Sequence, residues 1–489
     1  MPLPKALRPF PLMLLIAACA QVDTAGLAPA DPSAPPDGMS SFTLAADTRV
    51  PGATASRAAV PGQVYDLPTL IDIAQTNNPV TRAAWLRARQ AALAVGLVEA
   101  TYLPRISAEI LAGRHASDST AVNDPLGVLP AGSVATGTGA DAAVLSVQWL
   151  LFDFGRRSAL RRGAQEASFA SNVTFVGAHQ TLIHDVTQAF YDLQAATQRE
   201  AIQRQRQDAA LEIAGMARAR REQQVATVTE LAQAEQVVAQ ARFDLTRARS
   251  ETTAASTRLA TLCGLSPRQP IRVNLSSTLQ LPPRPPAAVD AFLQDALQRR
   301  PDLQAAFARA RVSEANVAAV EASFRPRIVA SATLGERVLS GTIDDSRLGS
   351  AGIERSQHVA GVYLGVSIPI WDGNARQLRL AEAQAGHQAA LAEAENLRAM
   401  AEGEIIAAYE ALRASLAANT AAVEMVSTAQ TTYDAARSMA GRGLATVGEV
   451  DTALRMLYDA QLSRVEAQRT ARSSAALLAF ASGQIASGR

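Results

Sequence analysis

The spacing of apolar side chains changes along the chain in a fixed order, and the order occurs twice. From Leu67 to about Thr101 there are few helix breakers, Asp66 is placed to cap the start, and Pro79 predicts a kink or a restart. A second such stretch runs from about Val289 to Ser323, and each stops just before a proline, Pro104 or Pro326. Beyond each proline the period becomes two. Ile106, Ala108, Ile110 and Ala112 alternate with Ser107, Glu109 and Leu111, and Ile328, Ala330, Ala332 and Leu334 alternate with Val329, Ser331, Thr333 and Gly335. Returning strands follow: Leu145, Val147, Trp149 and Leu151 against Ser146 and Gln148, then Val362, Leu364, Val366, Ile368 and Ile370 against Tyr363, Gly365, Ser367 and Pro369. Strands of roughly 9 to 11 residues with one apolar and one mostly polar or small face suit a membrane barrel; a half-buried soluble sheet would alternate in the same way. The Gly-, Ser- and Asp-rich stretches between the strands, about His115 to Asp141 and Glu336 to His358, read as polar loops.

After the strands come two helical stretches, about Arg156 to Arg220 and Ala375 to Met439, each roughly 90 Å long at 1.5 Å per residue. Each turns back and returns as a second helix, with small residues every seventh position: Ala234, Ala241, Ala248, Ala255 and Leu262, then Ala453, Ala460, Ala467, Ser474 and Ala481. That spacing predicts closely packed antiparallel coiled-coil pairs.

The two series are copies. Ala88/Ala310, Arg89/Arg311, Val95/Val317, Glu99/Glu321 and Pro104/Pro326 keep one offset, and Val147/Val366, Tyr191/Tyr409, Ala226-Thr227-Val228/Ala445-Thr446-Val447 and Leu262-Cys263-Gly264/Ala481-Ser482-Gly483 keep a slightly smaller one. The chain therefore divides into a first repeat over 64–274, a Pro-rich linker over 275–288 and a second repeat over 289–489. Four strands leave two open edges. Unpaired backbone groups cannot stand in hydrocarbon, and the smallest closed membrane barrels have about eight strands, so several copies would have to close one barrel.

Composition adds an address. Lys5 and Arg8, an apolar run from Pro11 to Ile16 and then Ala17-Ala18-Cys19 form an export signal over 1–18 whose end resembles a bacterial lipobox, making Cys19 the expected lipid attachment site. Ala20 follows rather than Asp, which points to the outer membrane, and 19–63 reads as a flexible acylated tether. Cys263, the other cysteine, has Ser482 as its counterpart and is expected to be a small packing residue. Aromatics make up only 4% of the chain, so its helices must pack through Ala and Leu.

Charge and spacing exclude several chemistries. A net charge of +1 gives no basic surplus for nucleic acid. His115, His179, His184, His358 and His387 are scattered away from metal-ligand spacing, and no cofactor motif holds up. Gly137-Thr138-Gly139-Ala140-Asp141-Ala142 leads into a strand where a dinucleotide fingerprint needs a helix. No nucleophile elbow or phosphate loop occurs, so the expectation is a non-enzyme.

Tyr102-Leu103-Pro104 with Phe324-Arg325-Pro326, Leu151-Phe152-Asp153-Phe154-Gly155-Arg156 with Ile370-Trp371-Asp372-Gly373, and the doubled Ala-Thr-Val motif resemble the TolC family of outer-membrane efflux and secretion ducts, across Leu67 to Ile485. The resemblance implies a mainly α, tandem-duplicated fold with a small membrane β-barrel portion. It also implies a homotrimer with a 12-stranded barrel in the outer membrane and a 12-helix tunnel across the periplasm. A periplasmic adaptor (membrane fusion) protein and an inner-membrane pump are the implied partners, besides outer-membrane lipid. The adaptor-docking tips would be Arg221, Glu222, Gln223 and Gln224 with Gly441, Arg442, Gly443 and Leu444, where the glycines would ease a tight turn. The periplasmic gate would carry Glu449, with Glu230 in the first repeat; Thr452 stands where the family places a second acid, with Asp451 one residue earlier. The implied function is passive conduction in a tripartite efflux or type I secretion system; a lipid-anchored coiled-coil spacer without a pore is the alternative.

Overall fold

A computed structural model describes residues 63–121, 132–274, 281, 289–346, 349–442 and 444–485. Cys19 with the leader and tether, most of the Pro-rich linker, and Gly443 lie outside the described residues. The first repeat runs β1 (Val64–Tyr65), α1 (Leu67–Asn77), α2 (Pro79–Ala100), β2 (Arg105–Ala121), β3 (Gly132–Phe152), α3 (Arg156–Glu222), α4 (Val228–Leu262) and β4 (Arg272–Val273). The second runs α5 (Val289–Arg299), α6 (Pro301–Ala322), β5 (Arg327–Asp345), β6 (Gly349–Ser367), α7 (Ala375–Gly441) and α8 (Val447–Ala481). The duplication is carried into the folded chain: matched helices have 11, 22, 67 and 35 residues in both copies.

Each helix boundary follows from local chemistry. Asp66 accepts from the Thr69 N–H at 3.1 Å and caps α1. Pro79 is a restart rather than a kink: it stands at the first position of α2, where its missing N–H costs nothing, and Asn78 caps it by accepting from the Val80 N–H at 2.8 Å. Pro301 likewise opens α6 behind Arg300, which makes no side-chain cap there. These two cap residues also tie the repeats shut, since Asn78 Nδ2 donates to the Leu262 carbonyl and Arg300 Nη1 to that of Ala481, the last residues of α4 and α8. Gly264 and Gly483 then take left-handed φ of 66° and 68°, and a side chain at Gly483 would press on the Arg299 carbonyl. That geometry accounts for the doubled Cys-Gly and Ser-Gly motif. Cys263 and Ser482 are both fully buried, and desolvation pushes the Cys263 thiol up to about 12.

The seven-residue ladders face inward as their spacing requires. Ala234, Ala241 and Ala248 of α4 are buried, as are Ala453, Ala460, Ser474 and Ala481 of α8. Larger side chains gather where the short helices cross the long ones, Leu70, Ile71, Val186, Phe190, Leu193 and Leu259 in the first repeat and Leu293, Ile405, Leu412 and Leu478 in the second, and again where Ile213 of α3 meets Val450, Leu454 and Tyr458 of α8. The repeats meet where β3 pairs with β5, where α6 lies on α3, and where α8 lies on α3. At the last of these Arg469 reaches Asp192 at 3.1 Å and Glu466 at 2.6 Å, and Arg199 also reaches Glu466. The Glu466 carboxyl is held below its ordinary range, chiefly by the Arg469 guanidinium.

β2, β3, β5 and β6 form one antiparallel sheet in that order, so β2 and β6 are its edges. The strands correct the sequence reading in two places. They have 17, 21, 19 and 19 residues, so most of the expected loops is strand. Polar side chains there complete cross-strand pairs, such as Ser117 Oγ with Thr136 Oγ1 at 2.7 Å, and do not break the ladder. At the other end β6 stops at Ser367, leaving Ile368 and Ile370 outside, because Pro369 has no N–H to give the ladder.

Candidate functional site

The register puts the alternating apolar positions nearest the helices, taken from all four strands, mostly on one face. Ile106 pairs with Val147, Val147 with Ala332, and Ala332 with Val362; the next row is Ala108, Leu145, Leu334 and Ala360. The intervening rows, on the opposite face, read Arg105, Gln148, Ser331 and Tyr363, then Ser107, Ser146, Thr333 and Gly361. In a soluble sheet another layer would cover the apolar face. Here Ile110 is 86% exposed, Val362 83% and Leu364 71%. Such a sheet is made to lie between hydrocarbon and water.

Where strands give way to long helices, each repeat has an arginine latch, buried in the first and partly exposed in the second. Arg157 Nε donates to Asp153 Oδ2 at 3.1 Å, Nη1 to the Thr101 carbonyl at 3.1 Å and Nη2 to that of Leu151 at 3.2 Å, with Cζ 4.4 Å from the Tyr102 ring centre. Trp149 Nε1 bonds the Tyr102 carbonyl at 2.8 Å, so strand, turn and helix converge on one guanidinium. In the second repeat Arg376 bonds Asp372 and the Pro369 carbonyl, over Phe324. Sequence reasoning stopped at the neighbouring Arg156. The signal it passed over was an Asp and an Arg four residues apart in both copies.

At the far end of the long helices lie the two tips. Arg221 and Glu222 are in the last turn of α3, and Gln223 and Gln224 make the turn, with Gln224 at φ 61°. In the second tip Gly441 is the last residue of α7 and its φ is not positive, so the expected glycine freedom is not used there; Arg442 caps the helix and Leu444 N–H closes onto the Met439 carbonyl at 2.9 Å. Both tips expose apolar side chains, Val225 at 65% and Leu444 at 75%. A groove of about 830 Å³ beside the second tip is lined by Met439, Leu444, Thr446, Glu449, Thr452 and Met456.

The gate candidates have a local role as well. Thr227 Oγ1 accepts from the Glu230 N–H, while Glu230 Oε2 accepts from that of Thr227 at 2.9 Å; Thr446 and Glu449 do the same, the latter bond at 2.7 Å. The doubled Ala-Thr-Val motif is thus a doubled capping box starting α4 and α8. The Thr446 N–H holds the Glu449 carboxyl below its ordinary 4.5. Asp451 differs: Arg455 meets it at 2.6 Å and offsets its charge. Among the described residues no group of His, Cys, Asp and Glu could hold a metal, and no helix is long and apolar enough to cross a membrane.

A half-lipid, half-water sheet continued by helices about 100 Å long, each paired with a shorter return helix, defines a conduit leading away from a membrane. The chain belongs to the outer membrane efflux protein family, whose pattern matches residues 70–265 and 292–484, once in each repeat. It is 28% identical to Protein CyaE of Bordetella pertussis over 72% of this chain and 70% of that one. To the pyoverdine export outer membrane protein OpmQ of Pseudomonas putida it is 29% identical, over 68% of each. The solved outer-membrane channel OprN shares its fold, with TM-score 0.67 at 20% identity over 90% of this chain and 98% of that one. The protein is accordingly an outer-membrane channel of the efflux and secretion kind, a passive conduit and not an enzyme.

Proposed function

We propose that three copies complete one 12-stranded barrel in the outer membrane, and that their paired helices form the wall of a tunnel reaching through the periplasm. The uncovered apolar face of the sheet carries this reading, together with the edge strands β2 and β6, whose second partners must come from other copies. An adaptor protein of an inner-membrane pump docks at the hairpin tips, on Arg221, Glu222, Gln223 and Gln224 and on Gly441, Arg442, Gly443 and Leu444. Exposed Val225 and Leu444 and the groove beside Met439 offer the apolar contact that such docking needs.

Glu449 and Glu230, set three residues inside the tips by their capping boxes, become rings of like charge in the assembly and favour cations at the gate. Asp451, matched by Arg455, adds no net charge to them. In planar bilayers the purified full-length protein is expected to conduct in discrete steps. The part of its cation preference that Glu449 carries should hold at neutral pH and weaken only in acid, below the ordinary glutamate range, because the Thr446 N–H holds the folded carboxyl in its charged form. Glu449→Gln keeps a capping side chain and should show the weakened preference already at neutral pH. A protein that inserts but never conducts overturns the channel; unchanged preference in E449Q overturns the ring.

A further inference from the structure

The sheet sorts its charges by face. Register places Arg105, Arg327, Arg337 and Arg355 on the polar, water-lining face, where the opposing acids are Glu109 and, at the outer end of β5, Asp345. The lipid-side face holds the reverse set: Asp118, Asp141, Glu336, Asp344 and Glu354 against a single arginine, Arg114. Even that arginine is neutralised, since its two terminal nitrogens meet the two Asp141 oxygens at 2.7 and 2.8 Å. The four inward arginines are exposed and have no ion-pair partner among the described residues. Chance placement would divide both signs between the faces; here cations gather inside and acids outside.

The inward arginines also cover the length of the crossing. Arg105 and Arg327 open their strands at the helix end, and Arg337 stands ten residues further along β5, roughly 33 Å at 3.3 Å per residue, close to the thickness of a hydrocarbon core. Arg355 faces the same water from β6, one row beyond Arg337. None of them is ion-paired among the described residues of the sheet, whose inward face otherwise mixes Ser, Thr, Gln and Gly with apolar side chains such as Leu111, Val144 and Leu339.

We propose that the barrel section of this channel selects for anions, its inward arginines drawing carboxylate-, phosphate- or sulfate-bearing cargo through the outer membrane. Resting on the channel reading above, the inference gives the conduit two ends of opposite character, acidic at the hairpin tips and basic at the exit. A guanidinium fork matches the planar oxygen pairs of such groups, and the low-dielectric walls of a barrel in lipid focus its field. The surplus on the polar face is two positive charges per chain, and every copy that closes the barrel adds the same amount.

Reversal potentials in a potassium chloride gradient test it on the full-length protein in planar bilayers. Because the gate contributes its own preference, the reading is the difference between proteins. Arg337→Gln with Arg355→Gln should lower the chloride-to-potassium permeability ratio at least about threefold, and neutralising all four arginines should lower it further, with a larger effect in dilute salt where screening is weak. Each single substitution should give part of the shift, which keeps the test available if the fourfold variant fails to assemble. Arg114→Gln with Asp141→Asn, on the lipid side, should leave the ratio unchanged. Variants that conduct with the wild-type ratio at every salt concentration overturn the proposal while leaving the channel intact. Wild-type protein that inserts and passes no current overturns the channel reading, and this one with it.

Discussion

Replacing Arg157 with alanine should lower the temperature at which the assembled channel dissociates by several degrees. The guanidinium is 8% exposed and Asp153 12%, and it holds together the end of α2, the last turn of β3 and the first turn of α3. Removing one partner of a buried pair strands the other, typically costing about 3–5 kcal/mol per chain, and the two freed carbonyls add to the loss. Arg157→Lys restores charge without the fork and should recover only a part. In the second repeat Arg376 is as enclosed but Asp372 is 30% exposed, so Arg376→Ala should be milder. The temperature at which the oligomer dissociates on semi-native gels reads the order directly: wild type highest, then R376A, R157K and R157A. A dissociation temperature for R157A within about a degree of wild type would remove the latch from the account, since at most about 1 kcal/mol in a large assembly could hide in that interval.

A second large effect separates two neighbouring residues. Leu145 lies in an apolar row of the lipid-side face, with Ala108, Leu334 and Ala360, and Ser146 on the polar face, where its hydroxyl meets that of Ser107 at 2.8 Å. An arginine on the lipid face costs up to about 2–4 kcal/mol per chain, most at the midplane and less toward the interfaces, and the cost recurs in every copy of the assembly. Leu145→Arg should therefore be lost from the outer-membrane fraction, while Ser146→Arg should reach it at close to normal abundance. Equal abundance of the two, or the reverse order, would mean that lipid does not touch the face carrying Leu145.

Much of this architecture could be read before any coordinates, because duplication turns weak signals into paired ones. Proline before strand, proline opening a helix and small residues every seventh position are each common; finding them twice at near-constant offset fixed the element order and the inward face of α4 and α8. What stayed hidden depended on pairs formed in space. Strand ends rich in Gly, Ser and Asp look like loops until a partner strand completes their ladders, as at Ser117 and Thr136. The latch went unseen because Asp153 and Arg157 become a unit only once a helix turn brings them together, although the same spacing at Asp372 and Arg376 was in view. Glu449 was chosen by resemblance to a gate, and its bond to the Thr446 N–H adds a capping role that the Thr-x-x-Glu spacing had already offered. The sorting of arginines by face needed the register, since one slipped residue would have exchanged the two faces.

The most direct measurement bears on the open edges. With Cys263→Ser as background, a cysteine at Ser107 in β2 can be combined with one at Val359, Tyr363 or Ser367 in β6, positions at opposite sides of the same four-stranded sheet. Oxidation in intact outer membranes should join β2 of one chain to β6 of the next in at least one combination, giving a covalent ladder that ends at three chains. Failure of every combination to link chains, in protein shown to be in the outer membrane, would contradict a barrel completed by neighbouring copies.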